Sequence, residues 1–120
     1  MITGIGTDII EVERVGARIA KEQGFRELVF SLKEIAYCQS KAHPHEHYAA
    51  RFAAKEAFFK ALGTGWAGGT AFNEVEILPD NHGAPQINLL GATRSLTPGK
   101  IWVSLSHLQT LAVAVVVIER

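Results

Sequence analysis

The sequence has one cysteine, one methionine and no excess of either charge, and each scarcity removes a class of protein. A lone thiol, Cys38, excludes an internal disulfide framework and a cysteine-built zinc site, and it fits a reducing cytosol. Twelve Lys+Arg against twelve Asp+Glu leave a formal net charge of zero, which speaks against a general nucleic-acid binder. No apolar run reaches the roughly 18–20 residues of a membrane span, and the first residues lack a signal-peptide pattern. Internal repeats, low-complexity tracts and linkers are missing as well. The 120 residues therefore read as one domain, 1–120, of a cytoplasmic protein with no membrane or nucleic-acid partner. What is present in quantity is apolar surface, 48% of residues, enough for a single core.

The order of elements is strand, helices, strands. Residues 2–10 read as a strand interrupted by Gly4 and Gly6, and glycine inside a strand marks a bulge or a close backbone approach. Val12, Val15 and Ile19 have helical spacing and predict a helix over 11–23, stopped by Gly24. Ser31 and Glu34 form a capping box, with Phe30 and Ile35 at the positions of a hydrophobic staple, so a second helix runs from there to Ser40. A third, over 45–62, is rich in alanine, lysine, glutamate and leucine, with Pro44 suited to its first turn and Gly63 as its stop.

The second half reads as two hairpins. Residues 74–78 and 85–90 flank the turn Asp80-Asn81-His82-Gly83, and 101–106 pairs with 111–118. The last strand is apolar on both faces from Leu111 to Ile118. Either the chain's own helices cover both sides, or other subunits do, and the second reading predicts an oligomer.

Three patches hold more polar specificity than packing needs. Asp8 interrupts an apolar strand, either as a residue at its surface end or as a ligand for a cation. Arg51, Lys55, Glu56 and Lys60 lie on a helix whose Phe52, Phe58, Phe59 and Leu62 point around most of its circumference. A helix that buried carries so many charges only when they are partnered, by a phosphate or a metal for example. The Gly63-Thr64-Gly65 turn that follows offers unobstructed backbone N–H groups to a phosphate. Ser106 and His107 end a strand, but neighbours on a strand face opposite ways, which speaks against a hydrolytic dyad; His107 is better suited to a phosphate or base contact, the alternative being a merely hydrogen-bonded histidine. His43, His45 and His47 read as a solvated helix entry rather than a metal site.

Gly4-Ile5-Gly6-Thr7-Asp8-Ile9-Ile10-Glu11, Arg51-Phe52-Ala53-Ala54-Lys55-Glu56-Ala57 continuing through Lys60 to Gly65, and Ser104-Leu105-Ser106-His107 occur in this order. Together with Phe72-Asn73-Glu74-Val75-Glu76-Ile77 and Gly83-Ala84-Pro85, they make essentially the whole chain similar to the holo-acyl-carrier-protein synthases, the small bacterial type of 4′-phosphopantetheinyl transferase.

That resemblance implies an α+β fold, helices packed on a mainly antiparallel sheet, and a homotrimer with active sites between subunits. It implies transfer of the 4′-phosphopantetheine group of coenzyme A to a serine hydroxyl of apo-acyl carrier protein, supporting fatty-acid biosynthesis and leaving adenosine 3′,5′-bisphosphate. Mg2+ would be the cofactor, held by Asp8 and Glu56, with Lys60 completing the catalytic group. Arg51, Lys55, Lys60, Gly63, Thr64, Gly65 and His107 would serve coenzyme A, while Arg14, Arg18 and Lys21 would face the carrier protein.

Two carboxylates suffice for magnesium, which keeps several waters and takes substrate phosphate oxygens as further ligands. The serine proton would pass to Glu56 or to a metal-bound water. A non-catalytic module for coenzyme A would need the cations but not the two acids, so the acid pair favours an enzyme. A pure trimerisation domain would leave the charged helix without a purpose.

Overall fold

The computed structural model describes residues 1–63, 71–96 and 98–120. Strand β1 (Ile2–Glu11) runs directly into helix α1 (Val12–Lys21), and α2 (Phe25–Val29), α3 (Leu32–Gln39) and α4 (Pro44–Leu62) follow. Two hairpins complete the chain, β2 (Val75–Pro79) with β3 (Pro85–Leu89) and β4 (Lys100–His107) with β5 (Leu111–Glu119). Short 3-10 helices, one turn at Phe72–Glu74 and two turns at Gly91–Leu96, bracket the first hairpin. The architecture is α+β, as the resemblance implies.

α4 forms where helix-favouring residues are densest. Pro44 occupies its first turn, where no intrahelical N–H is lost, and Gly63 ends it at φ 81° in the left-handed region. The helix is buried on nearly every side, from Tyr48 and Ala49 through Phe58 and Ala61. α3 begins at the expected capping box: the Glu34 N–H donates to Ser31 Oγ at 3.1 Å, and the Ser31 N–H donates to Glu34 Oε1 at 2.9 Å.

The first helix departs from expectation. It ends at Lys21 rather than 23, and Gly24, at φ 84°, opens the separate short helix α2 instead of closing α1. Glu74 likewise belongs to a 3-10 turn and not to β2.

In the three-stranded antiparallel sheet the order is β1-β5-β4, so the last strand is central. Its inner residues Ala112, Ala114, Val116 and Ile118 are buried, the last three in one core with Ala57, Phe58 and Ala61 of α4. The outer face reads across the register in rows: Ile5–Val117–Trp102, Thr7–Val115–Ser104 and Ile9–Val113–Ser106. Ile5 and Ile9 are 64% and 62% exposed, and Trp102 is 50% exposed. The chain's own helices therefore cover one face of the central strand and leave an apolar outer face open. That corrects the alternative in which the helices of a single chain cover both sides.

Candidate active site

β1 crosses α4 at very close range, and the crossing brings three charged side chains together. Asp8 projects from the far half of β1, and Glu56 and Lys60 lie one helical turn apart on α4. Lys60 Nζ donates to Asp8 Oδ1 at 3.0 Å and to the Thr7 carbonyl at 3.0 Å. Burial, followed by the nearby charge of Asp8, pushes the Glu56 carboxyl above its usual pKa, and Lys60 partly opposes this. Two carboxylates and one ammonium thus share a half-open site. Asp8 is thus paired with Lys60 rather than standing alone at the strand's end.

Beside Glu56 lies a cavity of about 320 Å³ lined by Phe25, Leu28, Val29, Phe52 and Phe72, with Arg18 among its lining residues. The Arg18 guanidinium rests 4.2 Å from the centre of the Phe25 ring and pairs with Glu22 at 2.8 Å. Arg18 thus leans over α2 while its side chain stays half-exposed, and Arg14 and Lys21 are exposed as well. The apolar lining was not foreseen, because α2 is too short to show a period in the sequence.

Arg51 and His107 meet elsewhere, around a second cavity of about 170 Å³ with Tyr37, His47 and Pro85 on its wall. Arg51 Nε donates to the Ile77 carbonyl at 3.0 Å, and its guanidinium lies 4.3 Å from the centre of the Tyr37 ring. His107 Nδ1 is 2.9 Å from Glu46 Oε1, and its ring packs at 5.0 Å against that of His47. Among the described residues, none lines both cavities.

Lys55 is placed differently from the sequence expectation. Its ammonium is fully buried and donates to Glu34 Oε1 at 2.7 Å, to the Phe72 carbonyl at 2.9 Å and to the Val75 carbonyl at 2.5 Å. All three N–H groups are spent inside the chain, so none remains for a phosphate. Burial lowers its pKa, against the pull of Glu34. Glu34 is the partner that sequence reasoning missed. Its Oε2 accepts from the Ile77 N–H at 2.9 Å, so one carboxylate caps α3, pairs α4 and anchors β2.

The other expected residues divide. Gly63 closes α4, while Thr64 and Gly65 lie outside the described residues. His47 is not solvated as expected but half-buried between Tyr37 and His107, and the exposed His45 has its ring against Gly16. Among the described residues, no three side chains of metal-binding type converge.

This arrangement has close counterparts. Residues 4–116 match the family model described as the 4′-phosphopantetheinyl transferase superfamily, and the chain belongs to that superfamily. The holo-[acyl-carrier-protein] synthase of Ruminiclostridium cellulolyticum is 51% identical over 123 residues, covering 96% of this chain and 90% of that protein. Within the superfamily, the chain is a member of the holo-[acyl-carrier-protein] synthase family.

The crystal structure of that synthase from Neisseria meningitidis superposes with a TM-score of 0.87 at 32% identity, covering 100% of both chains. The Bacillus anthracis synthase, solved in complex with CoA (3′,5′-ADP), superposes at 0.83 and 34% identity, covering 98% of this chain and 96% of that one.

Proposed function

We propose that the chain is a magnesium-dependent holo-acyl-carrier-protein synthase acting in the cytoplasm for fatty-acid synthesis. It transfers the 4′-phosphopantetheine group of coenzyme A to a serine hydroxyl of apo-acyl carrier protein. The observation that carries this reading is the convergence of Asp8, Glu56 and Lys60 where β1 meets α4. Family membership supports it, as does the Bacillus anthracis relative solved with CoA (3′,5′-ADP).

In the reaction the serine oxygen attacks the phosphorus bearing the pantetheine arm. The pyrophosphate bond breaks, and adenosine 3′,5′-bisphosphate departs. Little of this needs covalent chemistry from the protein, whose task is to position groups and offset charge. Lys60, half-exposed beside Asp8, is placed to meet phosphate oxygens. Glu56, one turn from Lys60 on α4, is the carboxylate suited to receive the serine proton. Asp8 and Glu56 are hard oxygen donors whose mutual repulsion a divalent cation would relieve, so the pair fits Mg2+. When bound there, the ion would neutralise charge on the phosphate oxygens.

Arg51, His107 and Gly63, with Thr64 and Gly65, form the coenzyme A side of this reading, and Arg14, Arg18 and Lys21 the carrier side. Among the described residues, the Arg51–His107 cavity and the Glu56 cavity share no lining residue, which supports a site completed by a neighbouring subunit. The open apolar sheet face supports a homotrimer built on it. Incubation with coenzyme A, Mg2+ and apo-acyl carrier protein tests the function. The carrier should gain the mass of one phosphopantetheine arm, and a module that only binds coenzyme A would leave it unchanged.

A further inference from the structure

Gly4, Gly6 and Asp8 alternate along β1 and present the same face to α4. At Gly6 a Cβ would overlap the Ala57 carbonyl oxygen and lie 2.7 Å from the Ala61 amide nitrogen; at Gly4 it would overlap the Ala61 carbonyl oxygen. Backbone thus packs on backbone. Ala57 and Ala61 each follow directly on the charged residues Glu56 and Lys60, so the same two helical turns carry both the contact and the site.

We infer that Gly6, assisted by Gly4, is a positioning residue that sets the separation of Asp8 from Glu56 and so the size of cation the pair accepts. The inference rests on reading these two carboxylates as the metal site. A methyl group at position 6 would force β1 and α4 apart by roughly 1 Å, because close-packed backbone has no side chain that can yield. Asp8 is only two residues further along the same strand. β1 is held to β5 through this stretch, with Gly6 opposite Val116 and Asp8 opposite Ala114, so the strand moves as a unit. Magnesium requires oxygens at about 2.0–2.1 Å in near-octahedral order, while calcium accepts about 2.3–2.6 Å and looser geometry. A shift of that size therefore falls on magnesium first.

Titration with Mn2+ alone, read by the loss of the free-ion paramagnetic signal and followed by Mg2+ and Ca2+ competition, tests this together with thermal unfolding. Gly6→Ala should weaken Mn2+ binding about tenfold or more and shift competition from Mg2+ toward Ca2+. Adding Asp8→Glu in that background, which lengthens the carboxylate's reach, should recover part of the loss. In the parent background Asp8→Glu keeps the charge but spoils the spacing, so it should weaken binding with the unfolding temperature unchanged. If Gly6→Ala does not fold, Gly4→Ala, which meets the Ala61 carbonyl in the same contact, takes its place and should also weaken Mn2+ binding. Parent-like Mn2+ affinity in a folded Gly6→Ala, or in Asp8→Glu, overturns the positioning role while the metal-site reading stands. Parent-like affinity in Asp8→Asn overturns the metal-site reading itself, and the positioning role with it.

Discussion

Lys55 and Glu34 form an ion pair of 2.7 Å in which neither side chain is exposed to solvent. Each remaining polar atom of the pair is hydrogen-bonded to backbone, which ties α3, α4 and the start of β2 together. Removing one partner strands a charge in the core, at a cost of about 3–5 kcal/mol. Lys55→Met should therefore destabilise the fold severely in urea unfolding, and Lys55→Met with Glu34→Gln should recover a clear part of the loss. A single variant as stable as the parent would contradict the buried-pair assignment.

Asp8→Asn and Glu56→Gln each keep shape and remove one negative charge from the site. Both should lower carrier modification on the order of 10²-fold or more, with the circular dichroism spectrum unchanged. Near-parent turnover at limiting Mg2+ would remove that residue from the metal site.

The sheet's outer face gives a prediction about assembly. Val115 and Val117 stand in the central strand, in rows with Thr7 and Ser104 and with Ile5 and Trp102. Charges introduced by Val115→Asp and Val117→Asp should yield monomers or insoluble protein without activity. Sedimentation of an intact, active trimer would show that subunits meet elsewhere.

His47 supplies a dependence on pH. Burial lowers its pKa from the ordinary 6.5, and the neighbouring His107, Arg51 and Lys41 add to this against Glu46. As pH falls below 6.5, the unfolded chain therefore takes up a proton before the folded chain does, and stability is lost. Between pH 7.5 and about 5.5, the unfolding temperature of the parent should fall more than that of His47→Gln. Equal slopes would show that His47 does not contribute.

Arg14 is exposed on α1, whereas Arg18 on the same helix is paired with Glu22. Arg14→Glu should raise the Michaelis constant for the acidic carrier and leave that for coenzyme A nearly unchanged. Salt should shrink the effect, since rim charges act through screened attraction. An unchanged carrier constant at low salt would make Arg14 an ordinary surface residue.

What the sequence disclosed was local. The capping box of α3 and the Pro44 and Gly63 ends of α4 are written within a few residues of one another, and all are present. The hairpin around Asp80 is equally local, its carboxylate accepting from the His82 and Ala84 N–H groups. Lys55 was misjudged because its partner lies 21 residues away in a motif already explained as a cap. Asp8 and Lys60 are 52 residues apart, and no periodicity joins them; family resemblance assigned both to one catalytic group, but their ion pair is seen only in the fold.

Pairing Ile2 with Glu119 at one end of the β1–β5 ladder has a consequence for synthesis. β1 is made first, yet the strand that completes its hydrogen bonds is made last. α4 can form from local contacts and meet Gly4 and Gly6 while the chain is still growing, but its side facing Val116 and Ile118 and the unpaired edge of β1 must wait. Such a long-range closure makes folding slow, and it leaves an apolar strand edge open during translation. Nascent chains stalled before β5 should therefore bind holdase chaperones, and release should coincide with emergence of Leu111–Glu119.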